Sequence, residues 1–187
     1  MKRLVVAAAV VVGAFVLLAL PAFSDNSGSV SAQVQVAATC VTVAPASIDF
    51  GTLPFTSSAS GSGPSLGSKP ITVTNCSPSS ENYLGSGTNA HGGGSTSTTV
   101  WTLTQPLVDI ATDPCTWGTN QYEAGLGSSS AIHWLGTTNS PLTGTLASAT
   151  AGEVKSGTAA FIMPCQGSSG TGEVVGFSYT ITAVPSS

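Results

Sequence analysis

From Val30 the chain alternates: Val30, Ala32, Val34, Val36, Ala38 and Cys40 occupy every second position, with Ser, Gln and Thr filling most of the gaps. Successive side chains of a strand point to opposite faces, so this segment offers one face to a core and the other to water. Shorter runs rich in β-branched and aromatic residues predict strands at 40–43, 47–50, 69–75, 98–104 and 107–111, then at 131–135, 142–147, 157–163 and 174–184. Gly, Pro, Ser and Thr interrupt every stretch that could carry a 3.6-residue period, so no helix is predicted after residue 24. Segments 56–68 and 85–97 read as long loops. The run Gly167-Ser168-Ser169-Gly170-Thr171-Gly172 lacks the lysine of a phosphate-binding loop and leads into a strand, so it reads as a hairpin turn between the last two strands. About eight short strands separated by turn clusters describe an all-β domain, either a two-sheet sandwich or a Greek-key barrel.

What precedes the alternating strand is different. Lys2 and Arg3 are followed by an apolar run from residue 4 to 20, and then by small residues at Ala22 and Ser24. This is the pattern of a secretory signal peptide spanning 1–24, cut before Asp25. The expected mature chain divides into an N-terminal strand segment, 25–39, and one domain, 40–187. Its location is extracytoplasmic, secreted or at the cell surface, with no membrane insertion after cleavage. It keeps two lysines against eight acids, a net charge near −6, which makes nucleic acid and anionic membranes poor partners. Aliphatic residues and three tryptophans recur throughout, so the low charge is that of a folded protein solvated by Ser, Thr and Gly.

Export places Cys40, Cys76, Cys115 and Cys165 in an oxidising space, where an even count predicts two disulfides. Three pairings are possible. The sequential one closes loops of moderate length, worth about 3–4 kcal/mol each by chain entropy. Zinc is disfavoured because there is no C-x-x-C and both histidines lie far from the cysteines. Asp109 and Asp113 lack calcium-loop spacing, and no metal or cofactor is implied. For catalysis, His133 sits in the apolar run Ala-Ile-His-Trp-Leu and reads as a sheet-face histidine, while His91 lies in a glycine loop. The acids are scattered, and no Gly-x-Ser-x-Gly elbow stands between a strand and a helix, so no enzyme is predicted. The acceptor pattern Asn75-Cys76-Ser77 reads as a strand-ending asparagine. Trp101 and Trp134 belong to strand-like runs and read as core, which leaves Trp117 and Tyr122 as the aromatics expected to contact a ligand.

The residues Val34-Gln35-Val36-Ala37-Ala38-Thr39-Cys40, Ile48-Asp49-Phe50-Gly51-Thr52 and Ile71-Thr72-Val73-Thr74-Asn75-Cys76 resemble the spore coat protein U family and the related chaperone–usher pilins. The resemblance covers 34–76 and none of the chain from Gln105 onward. It implies an immunoglobulin-like sandwich with Greek-key connections, a disulfide between Cys40 and Cys76, and completion of the fold by a strand donated from a neighbouring subunit. Here Val30, Ala32, Val34, Val36 and Ala38 would carry the donor role. A second stretch, Ala44-Pro45-Ala46-Ser47-Ile48-Asp49-Phe50-Gly51 with Val73-Thr74-Asn75, resembles bacterial Hydin-like immunoglobulin domains, which are self-contained surface modules. The first resemblance implies a non-catalytic structural or adhesive subunit that associates with itself or with other surface subunits. The second implies a monomeric binding module for glycan or a surface protein.

Overall fold

A computed structural model of the chain describes residues 27–36, 40–57, 64–104, 115 and 118–186. The signal segment and the strand expected at 107–111 lie outside the described residues. Thirteen strands are described. They are β1 Ser27–Val36, β2 Val41–Ala44, β3 Ser47–Pro54, β4 Leu66–Asn75, β5 Glu81–Gly87, β6 Ala90–Gly92 and β7 Val100–Leu103, followed by β8 Gln121–Ser128, β9 Ala131–Trp134, β10 Ser140–Pro141, β11 Ser148–Ala149, β12 Val154–Ile162 and β13 Val174–Pro185. The period-two reading holds best in β13, where Val175, Phe177, Tyr179, Ile181 and Ala183 are buried and the residues between them are not.

The expected strand at 142–147 is instead a single 3-10 turn at Gly144–Leu146, entered by Gly144 at φ +64° and anchored by the buried Leu146. Two long strands, β5 and β8, were not predicted because glycine fills positions where a strand normally shows an apolar side chain. In β5, a Cβ on Gly85 would lie 2.6 Å from Leu142, and one on Gly87 2.7 Å from Leu103. In β8, Gly125 and Gly127 leave the space occupied by Ile132, Trp134 and the β9 backbone. Neighbouring strands supply the bulk that these positions lack.

Pairing forms one continuous path, β10–β5–β13–β6–β7–β8–β12–β4–β2, with β1 branching from β13 and β3 from β1, β11 from β5 and β9 from β8. β12 lies antiparallel between β4 and β8, whereas β1 lies between β13, to which it is parallel, and β3, to which it is antiparallel. The chain passes from the β4 side to the β1 side at Pro45, where β2 gives way to β3. Because β6 and β7 connect β13 to β8, the sheet is nearly closed, like a barrel, and does not separate into two independent sheets. The segment 167–172 is accordingly not a hairpin turn: β12 and β13 share no ladder, and this mostly exposed segment carries the chain from one group of strands to the other.

Inside, Phe161 of β12 is the hub of an aromatic cluster. Its ring lies 5.2 Å from Phe177, 5.3 Å from Tyr122, 5.8 Å from Phe50 and 6.4 Å from Trp101. Rings from β3 and β13 thus meet rings from β7, β8 and β12 at tilted or offset contacts that aromatic quadrupoles favour. Disulfides join Cys40 to Cys76 and Cys115 to Cys165, the sequential pairing. Thr56, fully buried, ties the second bridge into place: its N–H donates to the Pro164 carbonyl at 2.8 Å and its hydroxyl to that of Met163 at 2.7 Å.

The turn into β12 is held by a carboxylate. Glu153 accepts from the Lys155 ammonium at 2.7 Å and from the Thr150 amide at 2.8 Å, and these bonds, Lys155 first, hold its carboxyl down to about 2 from an ordinary 4.5. Hydrogen bonds from the Ser97 and Thr99 side chains lower Glu173 as well. A carboxyl depressed in the folded state stabilises it fully above the unfolded pKa, and that contribution is lost as pH falls. Thermal melts should therefore show stability falling between about pH 4.5 and 2, and Glu153→Gln should flatten that slope from its upper end, melting below the parent near pH 7 and converging with it near pH 2.

Candidate functional site

The segment with the strongest sequence pattern occupies the most demanding place in the sheet. β1 has partners along both edges: Ser29 to Val36 run in register with Val174 to Ile181, and Ser27 to Gln33 with Pro54 to Ser47. Its inward residues Val30, Ala32 and Val34 are 1%, 1% and 7% exposed. At its first turn Gly28 passes close to the Gly170 and Glu173 carbonyls, while the Gly172 amide donates to Ser27 at 2.8 Å. At the other end the Val34 amide donates to Ala46 at 3.0 Å. The register with β3 shifts between Val30 and Ser31, opposite Gly51, which adopts φ +77° with its amide satisfied by the Asp49 carboxylate at 2.8 Å. This bulge places one extra residue, Phe50, in β3 relative to β1.

Removing β1 would expose backbone donors and acceptors on β13 and β3 together with an apolar slot the width of one strand. Unpaired buried backbone and exposed apolar area are both costly, so such a slot attracts any alternating, uncharged segment. β1 is such a segment, with no charged residue from Ser27 to Val36. Of the residues expected to form the donor strand, Val30, Ala32 and Val34 fill the slot and Val36 takes its place in the β13 ladder opposite Ile181. The Val36 side chain and all of Ala38 lie outside the described residues.

The other expected site residues do not converge. Tyr122 is a correction: it is not an exposed loop aromatic but a fully buried residue of β8, its ring against Phe161 and Phe177 and its hydroxyl donating to the Thr88 carbonyl. Burial raises its phenol above the ordinary range. Trp117, Asp109 and Asp113 lie outside the described residues. Trp101 is core, its indole N–H donating to the Ser169 carbonyl at 2.9 Å. His133 is half-buried with Nε2 3.0 Å from the Ser140 hydroxyl, which in turn lies 3.4 Å from the Gly85 carbonyl. Asn75 is fully buried, and its amide donates to the carbonyls of Ser79, Ala149 and Thr150, so the N-x-[ST] pattern is spent on tying loops together. No group of three or more His, Cys, Asp or Glu residues among the described residues could hold a metal ion. No helix among them is long and apolar enough to cross a membrane.

Sequence reading missed one feature, a shallow trough of about 270 Å³, lined mostly by polar residues, on the outer face of β1, β13 and β6. Outward polar residues carry no hydrophobic signal, and only the strand register brings these together. No protein-family model matches the sequence, and no curated protein matches it.

The alternation of β1 makes two adjacent positions unequal. Ala32→Asp, which places a carboxylate in the slot, should lower stability to urea by about 3 kcal/mol or more, whereas Ser31→Asp on the outer face should stay within about 0.5 kcal/mol of the parent.

Proposed function

We propose that this chain is a secreted or cell-surface structural or adhesive subunit without catalytic activity, built as an immunoglobulin-like sandwich, that assembles by exchanging β1 between neighbours. The observation that carries this reading is the placement of β1: buried on its inner face, paired on both edges, uncharged and joined to the rest of the domain by the short segment 37–39. Two disulfides in the fold support an oxidising, extracytoplasmic compartment. The passage of β2 into β3 from one group of strands to the other at Pro45 supports the immunoglobulin-like description.

Strand exchange follows from simple thermodynamics. The contacts β1 makes are the same whether its own chain or the next one provides the slot, so the two states differ only in effective concentration and in strain of the connecting segment. Because the contact is head-to-tail, exchange passed from each chain to the next grows a fibre wherever the rotation between neighbours does not close a ring. The second reading, a self-contained binding module, is favoured by β1 occupying the slot of its own chain.

Light scattering coupled to size exclusion separates the two. Oxidised protein refolded at high concentration should give a ladder of multimers, and protein refolded dilute should give monomer. Deleting Ser27–Val36 should abolish the ladder, and adding a synthetic peptide of that sequence should restore a compact monomer. Monomer at every refolding concentration would favour the self-contained module.

A further inference from the structure

The glycines of the strands divide into two kinds. A Cβ on Gly67, Gly85, Gly87 or Gly157 would lie within 2.6–2.8 Å of a neighbouring side chain, and Gly92, Gly125 and Gly127 are tighter still. At each of these a side chain would force a neighbour to shift. Gly176 of β13 is different: a Cβ there would meet nothing nearer than the Ser31 hydroxyl at 3.5 Å, and its φ is not in the left-handed region. Gly28 is similarly unconfined at 3.4 Å, but it faces inward toward two carbonyls, whereas Gly176 is half-exposed on the outer face. Glycine in a strand interior weakens the strand, and where packing does not require it, it marks a place where something else approaches the backbone.

The register shows what surrounds this gap. Gly176 pairs with Ser31 on one side and His91 on the other, so the three stand in one row with the glycine in the middle. In the next row Gln33 pairs with Ser178, whose backbone is bonded in both directions to Thr88, the Ser178 amide to the Thr88 hydroxyl at 3.1 Å and the Thr88 amide to the Ser178 carbonyl at 3.1 Å. Two strand spacings put Ser31 and His91 roughly 10 Å apart, with a bare backbone floor between them. The resulting trough of about 270 Å³ is walled by hydroxyls, two carboxamides and an imidazole, with no carboxylate or ammonium group among its lining residues. Hydroxyl and amide groups both donate and accept, which is the complement of a ring carrying several hydroxyls.

We propose that the trough over Gly176 is a binding site for a neutral sugar ring of a glycan. Ser31, Gln33, Ser178 and His91 supply hydrogen bonds, and the missing side chain of Gly176 supplies the seat. With no aromatic platform beneath the ring, a single site binds weakly, and repetition of sites along an assembly would raise the avidity. One wall, Ser31 and Gln33, belongs to β1. The site therefore exists only when the slot is filled, and it is the same whether β1 comes from its own chain or from a neighbour, so it does not depend on strand exchange.

The test uses the oxidised monomer, labelled with nitrogen-15 and titrated to millimolar concentrations with glucose, galactose, mannose and N-acetylglucosamine in turn, with amide shifts read by NMR. At least one sugar should cause saturable shifts centred on Ser31, Gln33, His91 and Gly176–Ser178. Gly176→Val fills the seat from the solvent side. It should keep or raise the melting temperature while weakening binding at least tenfold, and His91→Ala should weaken binding several-fold without changing the fold. The proposal is overturned if none of the four sugars shifts these amides, or if Gly176→Val leaves binding intact. Because the readout is on monomer, failure here is separate from failure to assemble.

Discussion

The structure depends on the backbone hydrogen bonds along both edges of β1. A buried N–H or C=O without a partner costs about 1–3 kcal/mol, and a strand between two neighbours carries such groups along its whole length. β1 meets that requirement for itself, for β13 and for β3 at once, and it also closes the inner face with Val30, Ala32 and Val34. Because β1 and β13 are parallel and far apart in sequence, no tight turn can join them. Their pairing is held by the ladder and by burial alone, which makes β1 both essential to the fold and separable from it.

The remaining features stabilise the body into which β1 inserts. Phe161 brings the aromatic rings of β3, β7, β8 and β13 into one cluster, so the two groups of strands share a core, while the strand-to-strand path that links them runs through β6 and β7. The disulfides lie at the margins. Cys40–Cys76 fixes the start of β2 to the end of β4, immediately after the segment that joins β1 to the body. Cys115–Cys165 anchors the crossing between β12 and β13, where Thr56 satisfies the local backbone. Neither bridge spans the β1 seam, so neither covalently fixes β1 in its slot.

Elements whose inward positions carry side chains were legible in the sequence, and those built on glycine were not. β1 and β13 alternate plainly and were placed within a few residues of their bounds. β5 and β8 escaped because Gly85, Gly87, Gly125 and Gly127 give up volume to Leu142, Leu103, Ile132 and Trp134, a trade visible only in three dimensions. Tyr122 looked like a loop aromatic for the same reason: its strand reads as Gln-Tyr-Glu-Ala-Gly-Leu-Gly-Ser, too rich in small residues to announce itself. The cysteine count predicted two bridges and left three pairings, the family resemblance implied Cys40–Cys76, and the approach of the strand ends shows that pairing together with Cys115–Cys165. The trough over Gly176 combines residues 31, 33, 91 and 176–178, which no sequence pattern connects.

The central claim is that β1 can occupy the slot of another chain. Gln33 and Ser178 are direct partners in the parallel ladder, close enough for a disulfide after Gln33→Cys with Ser178→Cys. Multimers of this double variant, oxidised and run on a denaturing gel without reductant, should give a covalent ladder that collapses to monomer on reduction. If every species yields only internally linked monomer, β1 belongs to its own chain and the strand-exchange account is wrong.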